Sequence, residues 1–276
     1  MTQSFDSSNA LKKKLNSGKV VMGMWSIIPS PVLCEIFGLS GLDFVILDME
    51  HGIYDMTSLD ACIRSIETTS ASPLVRLPKL DAIAAQWALD LGSHGIVVPQ
   101  IKDSNDAENV VEIAKFAPVG SRGYNPFTRA ANYGHQDVSY GYKMDNAFNL
   151  TAVIIENSSA LADIDNIINT DGIDVIYIGI YDLSVSLGFG GDTHHPELVN
   201  IAELAIRRIR ALGKSAGMMV RTDEEIDYAV KLGANFLVYS VDTLFIQNAV
   251  TSSVLSLKKL SNLMTFDQKD NDKGLY

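Results

Sequence analysis

The stretch SPLVRLPKLDAIAAQWALDLGSHGIVVPQI, residues 72–101, decides the fold. Its two ends, SPLVRLP (72–78) and GIVVPQI (95–101), are apolar runs of strand length. DAIAAQWALDLG between them carries apolar residues at helical spacing. Gly92 closes that helix, because a residue without Cβ takes up the left-handed backbone of a C-cap at low cost. Strand, helix and strand in this order make a parallel crossover unit.

The same unit recurs along the chain. Strand-like runs occur at VVMGMWS (20–26), DFVILDM (43–49), TAVIIEN (151–157), DVIYIGI (174–180), SAGMMV (215–220) and NFLVYSV (235–241). Helical patterns such as SLDACIRSIETT, SNDAENVVEIAKF and HPELVNIAELAIRRIRALG lie between them, and Gly213 and Gly233 close two more helices. Eight strands alternating with helices predict a single-domain (β/α)8 TIM barrel over residues 1–263, with an N-terminal helix and a long loop at 117–150. An open dinucleotide-binding sheet is disfavoured because no GxGxxG follows the first strand. Residues 264–276, polar and mixed in charge, are expected to form a poorly ordered tail.

Composition narrows the partners. A chain of 276 residues, 47% hydrophobic, is long enough to bury one large core. A net charge of −11 argues against nucleic acid, which requires a dense basic surface, and the lysines at 12–14 are too few to reverse that. No apolar run reaches membrane-spanning length, and the N-terminal stretch lacks the apolar centre of a secretory signal, so a cytoplasmic location is expected. Cys34 and Cys62 both fall in helical patterns and read as buried thiols rather than a disulfide framework.

A barrel gathers chemistry where its strands end, because the βα loops share one face. The predicted strand ends supply Trp25, Asp48, Glu50, His51, Arg76, Lys79, Gln100, Lys102, Glu156, Asn157, Asp182, Arg221 and Asp242. Glu156 and Asp182 close two consecutive strands, about 4.8 Å apart in a sheet, so their charges repel unless a cation or proton intervenes. A shared divalent cation with water or substrate oxygens completing its shell is one reading. Helix capping or pairing with an arginine is the other. For Asp48 and His51 the choice is similar: a proton-moving pair in a wet cavity, or a carboxylate cap and an imidazole at a helix terminus. Arg122 and Arg129, in the long loop, could meet an anionic acceptor or tie the loop down.

Taken together, GMWSIIPSPVLCEIFGLSGLDFVILDMEHG, PLVRLP, ALDLGSHGIVVPQI, APVGSRG, TRAANYG, IIEN, GIDVIYIGIYDLSVSLG and HPEL, in this order, resemble the HpcH/HpaI aldolase family from about residue 19 to 250. The resemblance implies a class II, metal-dependent aldolase in which pyruvate enolate attacks an aldehyde to give a 4-hydroxy-2-oxo acid. It implies Glu156 and Asp182 as ligands of a divalent ion (Mg2+, Mn2+ or Co2+), Arg76 at the keto or enolate oxygen, and Asp48 with His51 as the acid–base pair acting through water. The backbone amides of Tyr181 and Asp182 would hold the donor's carboxylate, with Trp25 also lining the substrate site. A homo-oligomer, such as a hexamer exchanging its last helix, is implied as well.

Departures from the family pattern leave other readings open. Ile154 stands where many relatives carry Gln, and Gly179-Ile180-Tyr181-Asp182 replaces a Gly-Pro-small-Asp run. Action on oxaloacetate, a Schiff-base mechanism through Lys79 or Lys102, and a catalytically silent ketoacid-binding barrel are the competing expectations.

Overall fold

The computed structural model describes residues 9–135 and 146–260. Its eight strands, β1 (Val21–Ser26), β2 (Phe44–Asp48), β3 (Ser72–Arg76), β4 (Gly95–Val98), β5 (Leu150–Ile155), β6 (Val175–Ile178), β7 (Ser215–Val220) and β8 (Phe236–Val241), close into a barrel in sequence order. Every neighbouring pair is parallel, and β8 pairs back onto β1. The predicted (β/α)8 architecture is therefore the observed one. Several strands end one to three residues before their apolar runs do. β4 stops at Val98 because Pro99 has no N–H for the ladder and Gln100 turns to a φ of 57°. β6 stops at Ile178, where Gly179 leads into a helix.

Side chains alternate along each strand between two cores. The inner one fills the barrel with Trp25, Phe44, Ile46, Leu74, Val97, Ile154, Tyr177, Phe236 and Val238. The outer one seats strand residues such as Val45, Leu47, Val75 and Val153 against the helices. Phe44 and Phe236 stack inside at 4.1 Å. Gly23 makes room for them, because a Cβ there would lie 2.3 Å from the Phe44 ring.

The N-terminal helix α1 (Ala10–Asn16) sends Leu11 and Leu15 into the inner core. Asn9 caps it and donates to the carbonyls of His94 and Phe148, at the entry ends of β4 and β5. That closes the barrel at its strand-entry end and leaves the opposite mouth for chemistry. Helices α2 (Pro31–Leu39), α3 (Met56–Glu67), α4 (Ala82–Asp90) and α5 (Ser104–Ala114) follow the first four strands. Two short helices, α6 (Ser158–Ala162) and α7 (Ile164–Asn169), follow β5. After β6 come α8 (Ile180–Ser186) and α9 (Pro196–Ala211), then α10 (Asp223–Leu232) after β7 and α11 (Asp242–Leu260) after β8.

Cys34 on α2 and Cys62 on α3 are buried free thiols. In the long loop, Arg122 pairs with Asp90 over the face of Phe116, and Arg129 joins Glu67 and the Leu91 carbonyl. Both arginines tie the loop to the helical layer. Residues 264–276 lie outside the described residues. Among the described residues no helix is long and apolar enough to cross a membrane.

α11 departs from the usual packing. Only its first residues meet the barrel: Asp242 is fully buried, whereas Ile246, Val250, Val254 and Leu257 form an exposed apolar stripe. The α2 surface carries a second stripe, Val32, Ile36 and Leu39, also exposed. Asp242 sets where α11 begins. Its Oδ2 accepts from Ser26 Oγ and from the backbone N–H groups of Ile27 and Ile28, each at 2.9 Å.

Candidate active site

Asp48 and Arg76 are Cα partners at the last rung of the β2–β3 ladder. That register brings Arg76 Nε to 2.7 Å from Asp48 Oδ1, and Nη2 to Oδ2, a bidentate pair. Arg76 Nη1 lies 3.0 Å from Glu50 Oε2, and its Cζ stands 4.4 Å over the Trp25 ring. Trp25 meets Tyr177 edge to face at 5.7 Å inside the barrel. Burial alone would pull the Arg76 pKa down, but Asp48, Glu50 and Glu156 hold it above its ordinary value. The result is a fixed cation at the centre of the mouth.

Glu156 follows β5 and is buried. Its Oε1 accepts the Gln100 backbone N–H at 2.6 Å, and the Gln100 side chain donates to Glu50 Oε1 at 2.6 Å. Burial, followed by the charges of Glu50 and Asp182, raises the Glu156 pKa to about 7, against the pull of the Gln100 N–H and Arg76. Asp182 lies in the first turn of α8 and is exposed. Gly179 completes the surroundings: a Cβ there would sit 2.8 Å from Glu156 Oε2. The missing side chain lets the Gly179 backbone and the Glu156 carboxylate lie this close.

The donor chemistry fits a hard divalent cation, with carboxylate oxygens and an excess of negative charge at Glu156. Among the described residues no three His, Cys, Asp or Glu side chains form a metal-holding group. Glu156 and Asp182 could therefore hold an ion only with oxygens from water or a bound molecule completing its shell.

His51 sits differently from the orienting arrangement expected of Asp48. Asp48 Oδ1 accepts the backbone N–H groups of Glu50 and His51, at 3.0 and 3.2 Å, and Arg76 engages both of its oxygens. Asp48 thus holds the His51 backbone rather than its ring. The imidazole is 63% exposed, with Nε2 4.0 Å from Glu50 Oε2. Glu50 is the residue to which the sequence assigned no role. It joins Arg76, Gln100 and His51, and only its place in a charged strand end could have flagged it.

Tyr181 turns its side chain away from this cluster, and its hydroxyl accepts from Arg221 Nη1 at 3.3 Å. Lys79 and Lys102, the alternative nucleophiles, are both exposed to solvent.

A strand-ordered barrel with its acidic, arginine-centred cluster at the C-terminal mouth defines an enzyme of the TIM-barrel class. The model of the HpcH/HpaI aldolase/citrate lyase family matches residues 21–249, and the chain belongs to that family. It is 30% identical over 256 residues to 2-keto-3-deoxy-L-rhamnonate aldolase of Escherichia coli (strain K12), covering 92% of this chain and 95% of that protein. It is 31% identical over 252 residues to hydroxypyruvate/pyruvate aldolase of Roseobacter denitrificans, covering 91% and 98%. The crystal structure of an HpcH/HpaI aldolase from Desulfitobacterium hafniense DCB-2 superposes with a TM-score of 0.84 at 29% identity, covering 90% of this chain and 96% of that one. The relatives named here are aldolases, enzymes of the carbon–carbon lyase class.

Proposed function

We propose that this enzyme cleaves and forms a 4-hydroxy-2-oxo acid, with pyruvate enolate as donor and an aldehyde as acceptor. The observation that carries the reading is the Arg76 guanidinium, buried over Trp25, gripped by Asp48 and Glu50 and facing the raised-pKa carboxylate of Glu156.

Glu156 and Asp182 would hold a divalent cation, for which Mg2+, Mn2+ and Co2+ are the candidates. Such an ion would supply Lewis-acid polarisation of the donor's keto group. Arg76 binds the oxygen on which enolate charge develops. It is already oriented, so it stabilises that charge without reorganising. The backbone N–H groups of Tyr181 and Asp182 bind the donor carboxylate. Trp25 supports Arg76 from below and narrows the donor end of the site. His51, reachable from solvent and beside Glu50, moves the proton to and from the acceptor oxygen through water. Asp48 keeps both Arg76 and the His51 backbone in place.

Exchange of the pyruvate methyl protons in D2O, followed by NMR, tests the reading without knowledge of the acceptor. A chelator should stop exchange and Mg2+, Mn2+ or Co2+ should restore it. Chelator-insensitive exchange, or a borohydride-stable lysine adduct with pyruvate, would refute it.

The same reading extends to assembly. The exposed apolar residues Val250 and Val254 on α11 and Val32, Ile36 and Leu39 on α2 support a homo-oligomer in which α11 packs on a second copy, and the family resemblance implies a hexamer. A cytoplasmic site of action goes with this reading.

A further inference from the structure

Gln100 is where the two halves of the charged cluster meet. It follows Pro99 at the barrel mouth with a φ of 57°, a left-handed backbone that a residue carrying a Cβ adopts only at a cost. Such residues persist where their surroundings over-determine them, and they collect at functional sites. Two contacts hold this one. Its backbone N–H donates to Glu156 Oε1 at 2.6 Å, and its side-chain Nε2 donates to Glu50 Oε1 at 2.6 Å. Gln100 therefore spans the mouth from the end of β5 to the loop after β2.

The side-chain contact reaches further than Glu50. Both oxygens of Glu50 are committed, Oε1 to Gln100 and Oε2 to Arg76 Nη1 at 3.0 Å. The terminal torsion of a glutamate is soft, so a carboxylate held at one oxygen can still turn; the second hold fixes its plane. Arg76 already spends Nε and Nη2 on Asp48, which makes Glu50 the anchor of the remaining corner of its fork. A chain of three side chains thus runs from Gln100 through Glu50 to Arg76. Gln100 is itself exposed, so its contacts are not a by-product of core packing. A cavity of about 150 Å3 beside Tyr181 stands apart, because none of these residues lines it.

We propose that Gln100 is a positioning residue for the aldol reaction: its side chain fixes Glu50, and through Glu50 the Arg76 guanidinium, relative to the Glu156 carboxylate that its backbone holds. The inference rests on the aldol reading above. Gln100 needs no contact with substrate. It supplies alignment, and a donor aimed at developing charge works only in a narrow range of positions. Its loss should fall on kcat and spare the binding of pyruvate and cation, because the Arg76 contact strengthens as charge develops. The N–H that holds Glu156 belongs to the backbone, so side-chain variants keep it.

Gln100→Asn tests this by separating alignment from stability. Asparagine enters the left-handed region more readily than glutamine, so Tm should equal or exceed that of wild type, while its amide stops one methylene short of Glu50. Exchange of pyruvate methyl protons with Mn2+ bound should lose about tenfold in kcat, the scale of one hydrogen bond to a charged group. The KM for pyruvate and the Mn2+ Kd from calorimetry should stay within about twofold of wild type. Added to Glu50→Ala, the same change should alter exchange by less than about twofold, because a residue acting through Glu50 has nothing left to act on. A Gln100→Asn with wild-type kcat, a loss that appears in KM or Kd instead, or a full loss that persists beside Glu50→Ala overturns the inference alone. Gln100→Met, of similar length and without a donor, carries the same readings if the asparagine variant does not fold. A wild-type enzyme that does not exchange the methyl protons brings down the aldol reading and this inference with it.

Discussion

Arg76 holds both carboxylate oxygens of Asp48, its Cα partner across the β2–β3 ladder. A lysine can supply one point charge there but not the planar fork. Arg76→Lys should fold, and its kcat/KM for aldol cleavage should fall about 100- to 1,000-fold, the cost of losing a donor aimed at developing charge. Steady-state kinetics together with circular dichroism would check this; a variant within threefold of wild type would remove Arg76 from the chemistry.

Asp48→Asn leaves the buried Arg76 with one carboxylate partner instead of two. Breaking a buried ion pair costs about 3–5 kcal/mol, less here because Glu50 remains 3.0 Å from Nη1. Urea unfolding should show destabilisation of roughly 2–3 kcal/mol together with reduced turnover. A merely structural Asp48 would lower stability without changing kcat.

Glu156 makes pH a probe of the site. With its pKa raised to about 7 from an ordinary 4.5, the metal-free folded protein binds a proton that the unfolded chain releases earlier. That stabilising contribution is complete below pH 4.5 and is lost as pH rises through 7. Thermal melts of metal-free Glu156→Gln should lack this decline. Cation binding should run the other way, weakening as pH falls below 7 and releasing protons on association. Glu50→Gln removes one of the charges that raise Glu156, so the acid limb of the kcat/KM profile should move to lower pH.

Gly179 faces Glu156 so closely that any side chain must displace it. A Cβ would stand 2.8 Å from Oε2 and 2.9 Å from Ile154 Cγ2, so Gly179→Ala should weaken Mn2+ binding by at least about tenfold, a change of about 1.4 kcal/mol. Isothermal titration calorimetry measures it directly. Unchanged affinity would indicate that the ion, if held, lies away from this flank.

The stripe on α11 predicts assembly. Val250→Asp with Val254→Asp places two charges on a surface that is exposed among the described residues. Light scattering after size exclusion should show a smaller mass than for wild type. An unchanged mass would detach α11 from the interface.

The strand–helix alternation and the crowding of ionisable groups at strand ends were both legible in the sequence, because they depend on local patterning and on a face shared by every βα loop. Glu50 was not. A carboxylate two residues past Asp48 has no local signal, and its contacts with Arg76 and Gln100 come from β3 and from the loop after β4. Asp48 and His51 show the same limit. Their spacing left open a proton-moving pair or a carboxylate cap, whereas β2–β3 register commits that carboxylate to Arg76 and to backbone N–H groups.

By itself the sequence determined the eight-fold repeat and the end of the barrel on which ionisable groups gather. Periodicity and glycine placement act within a few residues, so they can be read along the chain. Only the tertiary structure decided which charges meet, that Glu156 carries a raised pKa, that Gly179 packs against it, and that a cavity lies beside Tyr181. Each of those depends on distances between strands far apart in sequence and on how much water the closed barrel excludes.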